Sequence, residues 1–93
     1  MNNLKSSELK ELRSAVEAID LQIISLLVKR FKNTAEIQKL KRGLKIPISQ
    51  KKREADLLKR YEKRAMRGKL PVALLRKLFT LLFAYSKESG IIK

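Results

Sequence analysis

Leu9, Leu12, Val16, Ile19, Ile23 and Leu26 follow one another at spacings of three and four. That is the repeat of an amphipathic helix packed against other helices. The same steps continue onto Arg30, then Asn33 or Thr34, then Ile37 and Leu40/Lys41. They predict one long first helix, capped at its start by Ser6 or Ser7 and ending near Arg42, with Gly43 as the residue that stops it. Gly43 to Ser49 reads as a loop containing Pro47, and Ser49 caps a second helix running to about Met66. Leu57, Leu58 and Tyr61 mark that helix's buried side. Arg67-Gly68-Lys69-Leu70 turns the chain, and Pro71 opens a third helix. Leu74, Leu75, Leu78, Phe79, Leu81, Leu82 and Phe83 run nearly all round this helix, so it belongs inside an assembly. The pattern predicts an all-α fold of three helices in one domain, 1–93.

The length of the first helix adds a partner. Thirty-odd residues at ~1.5 Å each make a rod of roughly 50 Å. A compact domain of this size has a radius of gyration of about 12 Å. The rod outruns any core that one chain builds, and a second copy of the same chain is the simplest partner, which makes a homodimer the expectation.

Arg30 breaks the apolar stripe. A guanidinium on a packed face is costly to bury unless an anion meets it. Lys41 follows eleven residues later, and at about 100° per residue it returns to nearly the same face, ~16 Å further along the axis. No carboxylate stands in the stripe to pair these two cations, so an anionic ligand between them is the reading. Arg13 precedes Arg30 by seventeen residues, about 100° round the helix, and so serves a different site, most naturally the one in the other subunit.

Composition narrows the chemistry. There is no cysteine and no histidine, which excludes disulfides, thiol nucleophiles, imidazole bases and most zinc or iron sites. No apolar run is long enough to span a membrane, and the first residues lack the apolar segment of a signal peptide, so a cytoplasmic protein is expected. The formal net charge is +14. Thirteen Lys/Arg stand against three acids between Lys39 and Lys69, a segment that attracts anions of any kind.

Seven polar residues fall on or beside inward positions: Arg13, Arg30, Lys41, Gln50, Arg53, Glu54 and Ser86. Each also has an ordinary reading. Arg13 has Glu17 at i+4 as a partner, Arg30 has a stem that reaches toward water, and Lys41 suits the negative end of its helix. Arg53 and Glu54 lie in a charge-rich stretch, and Ser86 at a core position bonds its own helix.

The ordered set carries more than its members. Leu12-Arg13, Ile19-Asp20, Leu26-Leu27-Val28-Lys29-Arg30, Ala35-Glu36-Ile37-Gln38-Lys39-Leu40-Lys41, Ile46-Pro47, Arg53-Glu54 and Leu78-Phe79 to Ser86 resemble the all-helical chorismate mutases. The resemblance runs from about Leu9 to Ser86. It implies an intertwined homodimer of three-helix subunits with two equivalent sites. Its substrate would be chorismate, a dianion that rearranges to prephenate on the way to phenylalanine and tyrosine, with no cofactor or metal.

Carried over by position, the resemblance implies that Arg30 and, from the other subunit, Arg13 clamp the two carboxylates. Arg53 orients the substrate near its ring carboxylate. Lys41 donates to the ether oxygen, Glu54 holds the ring hydroxyl, and Ser86 adds a polar contact at the ring carboxylate end. Two positions depart from the family pattern. Gln50 stands where an acid commonly helps bind the ring hydroxyl. Gly90 stands where Gln or Glu is the usual second donor to the ether oxygen, with Glu88 and Ser89 as the nearest side chains.

A pericyclic rearrangement needs no nucleophile or base, only a site that holds a compact conformer and stabilises developing charge. Other readings belong beside this one. An isochorismate pyruvate-lyase reuses the same clamps, and a weakly active accessory domain binds the same ligand, with a partner enzyme of the aromatic pathway. A basic helical nucleic-acid binder is prompted by the charge. Against the last, the few aromatics sit mostly at core spacings, and no binding motif is present.

Overall fold

The computed structural model describes residues 2–45 and 51–88, with side chains from 5 to 45 and 51 to 87. It contains three helices, α1 (Asn2–Leu44), α2 (Lys51–Arg67) and α3 (Val72–Glu88), and no strand among the described residues. The predicted capping by Ser49 and the Pro47 loop lie outside the described residues.

Both ends of α1 differ from the sequence expectation. The helix begins at Asn2, so Ser6 and Ser7 are interior residues and neither is its N-cap. Nothing between Asn2 and Ser7 breaks a helix, and serine is tolerated inside one. At the other end the helix passes through Gly43 to Leu44. Glycine weakens a helix by roughly 1 kcal/mol relative to alanine but does not force a stop. The left-handed residue is Lys45, with φ 59°, whose N–H donates to the Arg42 carbonyl at 3.2 Å.

The chain divides into two units, Met1–Lys32 and Asn33–Lys93. The first is a stretch of α1 alone. Its apolar stripe is open, with Leu12 65% and Leu26 62% exposed, and among its described side chains only Leu27, Arg30 and Phe31 are half-buried.

The second unit contains the antiparallel pair of α2 and α3. Glu54 near the start of α2 meets Lys87 near the end of α3, while Glu62 further along α2 meets Arg76 near the start of α3. Between these ion pairs the rings of Tyr61 and Phe79 lie 4.8 Å apart at 49°, and Phe79 and Phe83 lie 6.1 Å apart at 56°. Those tilted arrangements suit the aromatic quadrupole. Ala65, Leu75, Leu82 and Phe83 form the buried core. The predicted inward residues Leu57, Leu58 and Tyr61 are half-buried. On α3, Leu74, Leu78, Leu81 and Tyr85 remain exposed, which matches a helix that is apolar nearly all round.

The turn between α2 and α3 is a Schellman motif. Leu70 N–H donates to the Ala65 carbonyl at 2.8 Å and Lys69 N–H to the Met66 carbonyl at 3.2 Å, satisfying the last carbonyls of α2. Its left-handed position is occupied by Lys69, with φ 59°, not by Gly68. Pro71 stands just before α3, its carbonyl accepting from Leu75 N–H at 3.1 Å.

Candidate functional site

Most basic side chains of this chain are solvated. Among the described residues only Arg30, Lys41 and Lys87 are half-buried; every other described Lys or Arg is exposed. Two of these three are the cations that the sequence marked on the packed face of the first helix. Lys87 was not expected.

Lys87 reaches across to α2. Its Nζ lies 3.1 Å from both carboxylate oxygens of Glu54. The pair borders a groove of about 320 Å³ between α2 and α3, whose walls include Lys51, Leu58, Thr80 and Phe83. Glu54 is therefore half-buried and held, and its charge is matched within the protein. Lys87 and Glu54 stand 33 residues apart, and no local spacing announces such a contact.

Ser86 is buried, as expected, and its Oγ donates to the Leu82 carbonyl at 2.6 Å. This is the ordinary reading of a core hydroxyl on a helix. Donation by this hydroxyl to any other group requires it to turn away from Leu82.

Arg53 is exposed at the start of α2. It lines an open depression of about 560 Å³ with Lys51, Lys52, Asp56 and Arg60, a surface rich in positive charge. Arg13 is exposed on α1 and forms no ion pair with Glu17. Gln50, Ser89 and Gly90 lie outside the described residues, and so does the side chain of Glu88.

One register correction brings in a new residue. Along α1 within the second unit, Thr34, Ala35 and Lys41 are half-buried and Gln38 is buried, while Ile37 and Leu40 are exposed. The inward steps thus run 34, 38, 41 and not through Ile37. Gln38 is 5% exposed, and its Oε1 has no hydrogen-bond partner. The signal was present in the sequence: Gln38 stands four residues after Thr34 and three before Lys41. Apolar character favoured Ile37, but position on the helix decides.

Shifted ionisation lies elsewhere in this unit. Arg76 donates to Glu62 at 2.6 Å and 3.3 Å, and that hydrogen bond holds the Glu62 carboxyl below its ordinary value and the Arg76 guanidinium above its own. Among the described residues no cluster of His, Cys, Asp or Glu has the make-up of a metal site, and no helix is long and apolar enough to cross a membrane.

A comparison with protein families matches residues 12–90 to the family described as chorismate mutase type II. No curated protein and no solved structure matches the chain.

Proposed function

Because this chain belongs to the chorismate mutase type II family, we propose that it converts chorismate to prephenate, as a homodimer in the cytoplasm. One observation supports this most directly. Of all the described basic side chains, Arg30 and Lys41 are withdrawn from solvent on α1, although a helix so rich in lysine and arginine could leave them both in water. Cations partly shielded from water hold an anion more firmly than solvated ones do, and chorismate brings two carboxylates.

The reaction is an isomerisation. The ether carbon–oxygen bond breaks as a carbon–carbon bond forms, and negative charge grows on the departing oxygen. In this reading Arg30 grips one carboxylate through its planar, permanently charged fork, and Arg13 of the second copy grips the other. Lys41 donates to the ether oxygen where charge develops, which stabilises the transition state more than the ground state. Arg53 supplies positive charge near the ring carboxylate. Glu54, fixed by Lys87, accepts from the ring hydroxyl, whose oxygen accepts from the Gln50 amide, and Ser86 turns from Leu82 toward the ring carboxylate end.

The dimer rests on the apolar stripe of α1. Val16, Ile19, Ile23 and Leu26 are each half or more exposed, and an isolated helical face of that kind is not stable in water without a cover. A second copy presents the same stripe.

The test is direct. Purified protein should consume chorismate and form prephenate, and Arg30→Ala should lower that rate by on the order of 10²-fold or more with helix content unchanged. No turnover at high enzyme concentration would sink the catalytic reading, and pyruvate release from isochorismate in its place would make the chain a lyase of the same fold.

A further inference from the structure

Gln38 is the buried polar side chain whose carbonyl oxygen lacks a partner. An unmet acceptor of this kind is destabilising, and native proteins rarely keep one without a use. One turn further along α1 stands Lys41, half-buried and on the same side. Side chains three apart on a helix are neighbours, with Cβ atoms about 5–6 Å apart. A lysine ammonium carries three N–H donors and an amide oxygen two acceptor positions, so this pair is chemically matched.

We propose that Gln38 is a positioning residue for Lys41: its Oε1 accepts from the Lys41 ammonium when substrate is bound and aims a second N–H at the breaking ether bond. The inference rests on the chorismate reading of the site. A flexible four-carbon stem does not place its charge by itself. Anchoring the ammonium on a buried, sterically fixed amide removes that freedom before the reaction, and placement errors of about 1 Å can cost on the order of 10²-fold in rate. Dry surroundings strengthen the contact further.

The experiment compares chorismate kinetics in Gln38→Leu, Gln38→Glu, Lys41→Met and Gln38→Leu/Lys41→Met. Gln38→Leu keeps the volume and removes the acceptor. It should melt at or above the wild-type temperature, since the unmet oxygen is gone, and should lose roughly 10–100-fold in kcat with little change in KM. Gln38→Glu restores an acceptor and should recover most of that loss. In the Lys41→Met background Gln38→Leu should have no further effect, because its influence passes through the ammonium.

Wild-type kcat in Gln38→Leu would overturn the inference while leaving the proposed reaction intact, as would an equal loss with or without Lys41. If the wild-type protein does not act on chorismate, the proposed function itself fails. The Lys41 Nζ resonance of 15N-lysine-labelled protein, recorded with saturating chorismate or prephenate, then decides the pairing alone, a shift in Gln38→Leu supporting it and an unmoved resonance overturning it.

Discussion

Lys87 grips both oxygens of Glu54 at 3.1 Å, joining the last turn of α3 to the first turn of α2. Either side chain alone would be a half-buried charge. Together they fasten the open end of the helical pair, the end opposite the Gly68–Pro71 turn. The contact also fixes the carboxylate assigned to the ring hydroxyl.

Breaking this pair should therefore have two effects. Lys87→Met is expected to lower stability by about 1 kcal/mol, between the values typical of exposed and buried pairs. It should also raise KM for chorismate, because Glu54 loses its fixed orientation. A double-mutant cycle with Glu54→Gln, read by denaturant unfolding, should return a coupling energy of similar size. Additive effects of the two changes would show that the contact contributes nothing.

The stop of α1 offers a second test. Gly43 is helical, its φ is not in the left-handed region, and a Cβ added there meets nothing within 4 Å. Gly43→Ala should stabilise the protein by about 0.5–1 kcal/mol, the ordinary gain of alanine over glycine inside a helix. Lys69→Gly should also stabilise, by about 1 kcal/mol, because a side chain with φ 59° is strained where glycine is not. Were Gly43 the left-handed terminator that the sequence implied, alanine would destabilise it instead. Thermal melting of the two variants separates these outcomes.

The Glu62–Arg76 pair predicts a pH dependence. Hydrogen bonding to Arg76 depresses the Glu62 carboxyl in the folded state, so folding favours its ionised form. That contribution is fully present above the ordinary glutamate range. It declines as pH falls through that range and is gone below the depressed folded value. Melting curves of wild type and Glu62→Gln should differ at neutral pH and converge in acid. The difference should be small, because solvent screens this exposed pair. Curves that stay parallel down to acid pH would contradict the assignment.

Much of this was legible in the chain because helices are written in local spacing. Leu57, Leu58, Tyr61, Leu75, Leu82 and Ser86 face where their three- and four-residue steps place them. Arg30 and Lys41 are withdrawn from water as the stripe implied. The differences from the sequence expectation have three causes. Helix ends depend on small differences between weak preferences, so Ser7 did not start α1 and Gly43 did not end it. Contacts between distant segments leave no trace in spacing, which hid Lys87 behind the more recognisable Ser86. The third concerns Gln38: beside an isoleucine, an amide does not advertise an inward position, although the helical angle assigns it one.

The strongest test of the shared site uses two inactive proteins. If each site takes Arg30 from one chain and Arg13 from the other, Arg13→Ala and Arg30→Ala are both expected to be nearly inactive as purified homodimers. Mixed chains give heterodimers in which one site carries both substitutions and the other carries neither. With random pairing half of the dimers are mixed, and half of their sites are intact, so activity should return to about a quarter of wild type. The recovery should require unfolding and refolding the proteins together, or conditions that allow subunit exchange. Sedimentation should show a dimer throughout, with a melting temperature that rises with concentration. A mixture that regains nothing, while exchange is demonstrated by tagged chains, would place Arg13 and Arg30 in the same subunit's site or remove Arg13 from the site altogether.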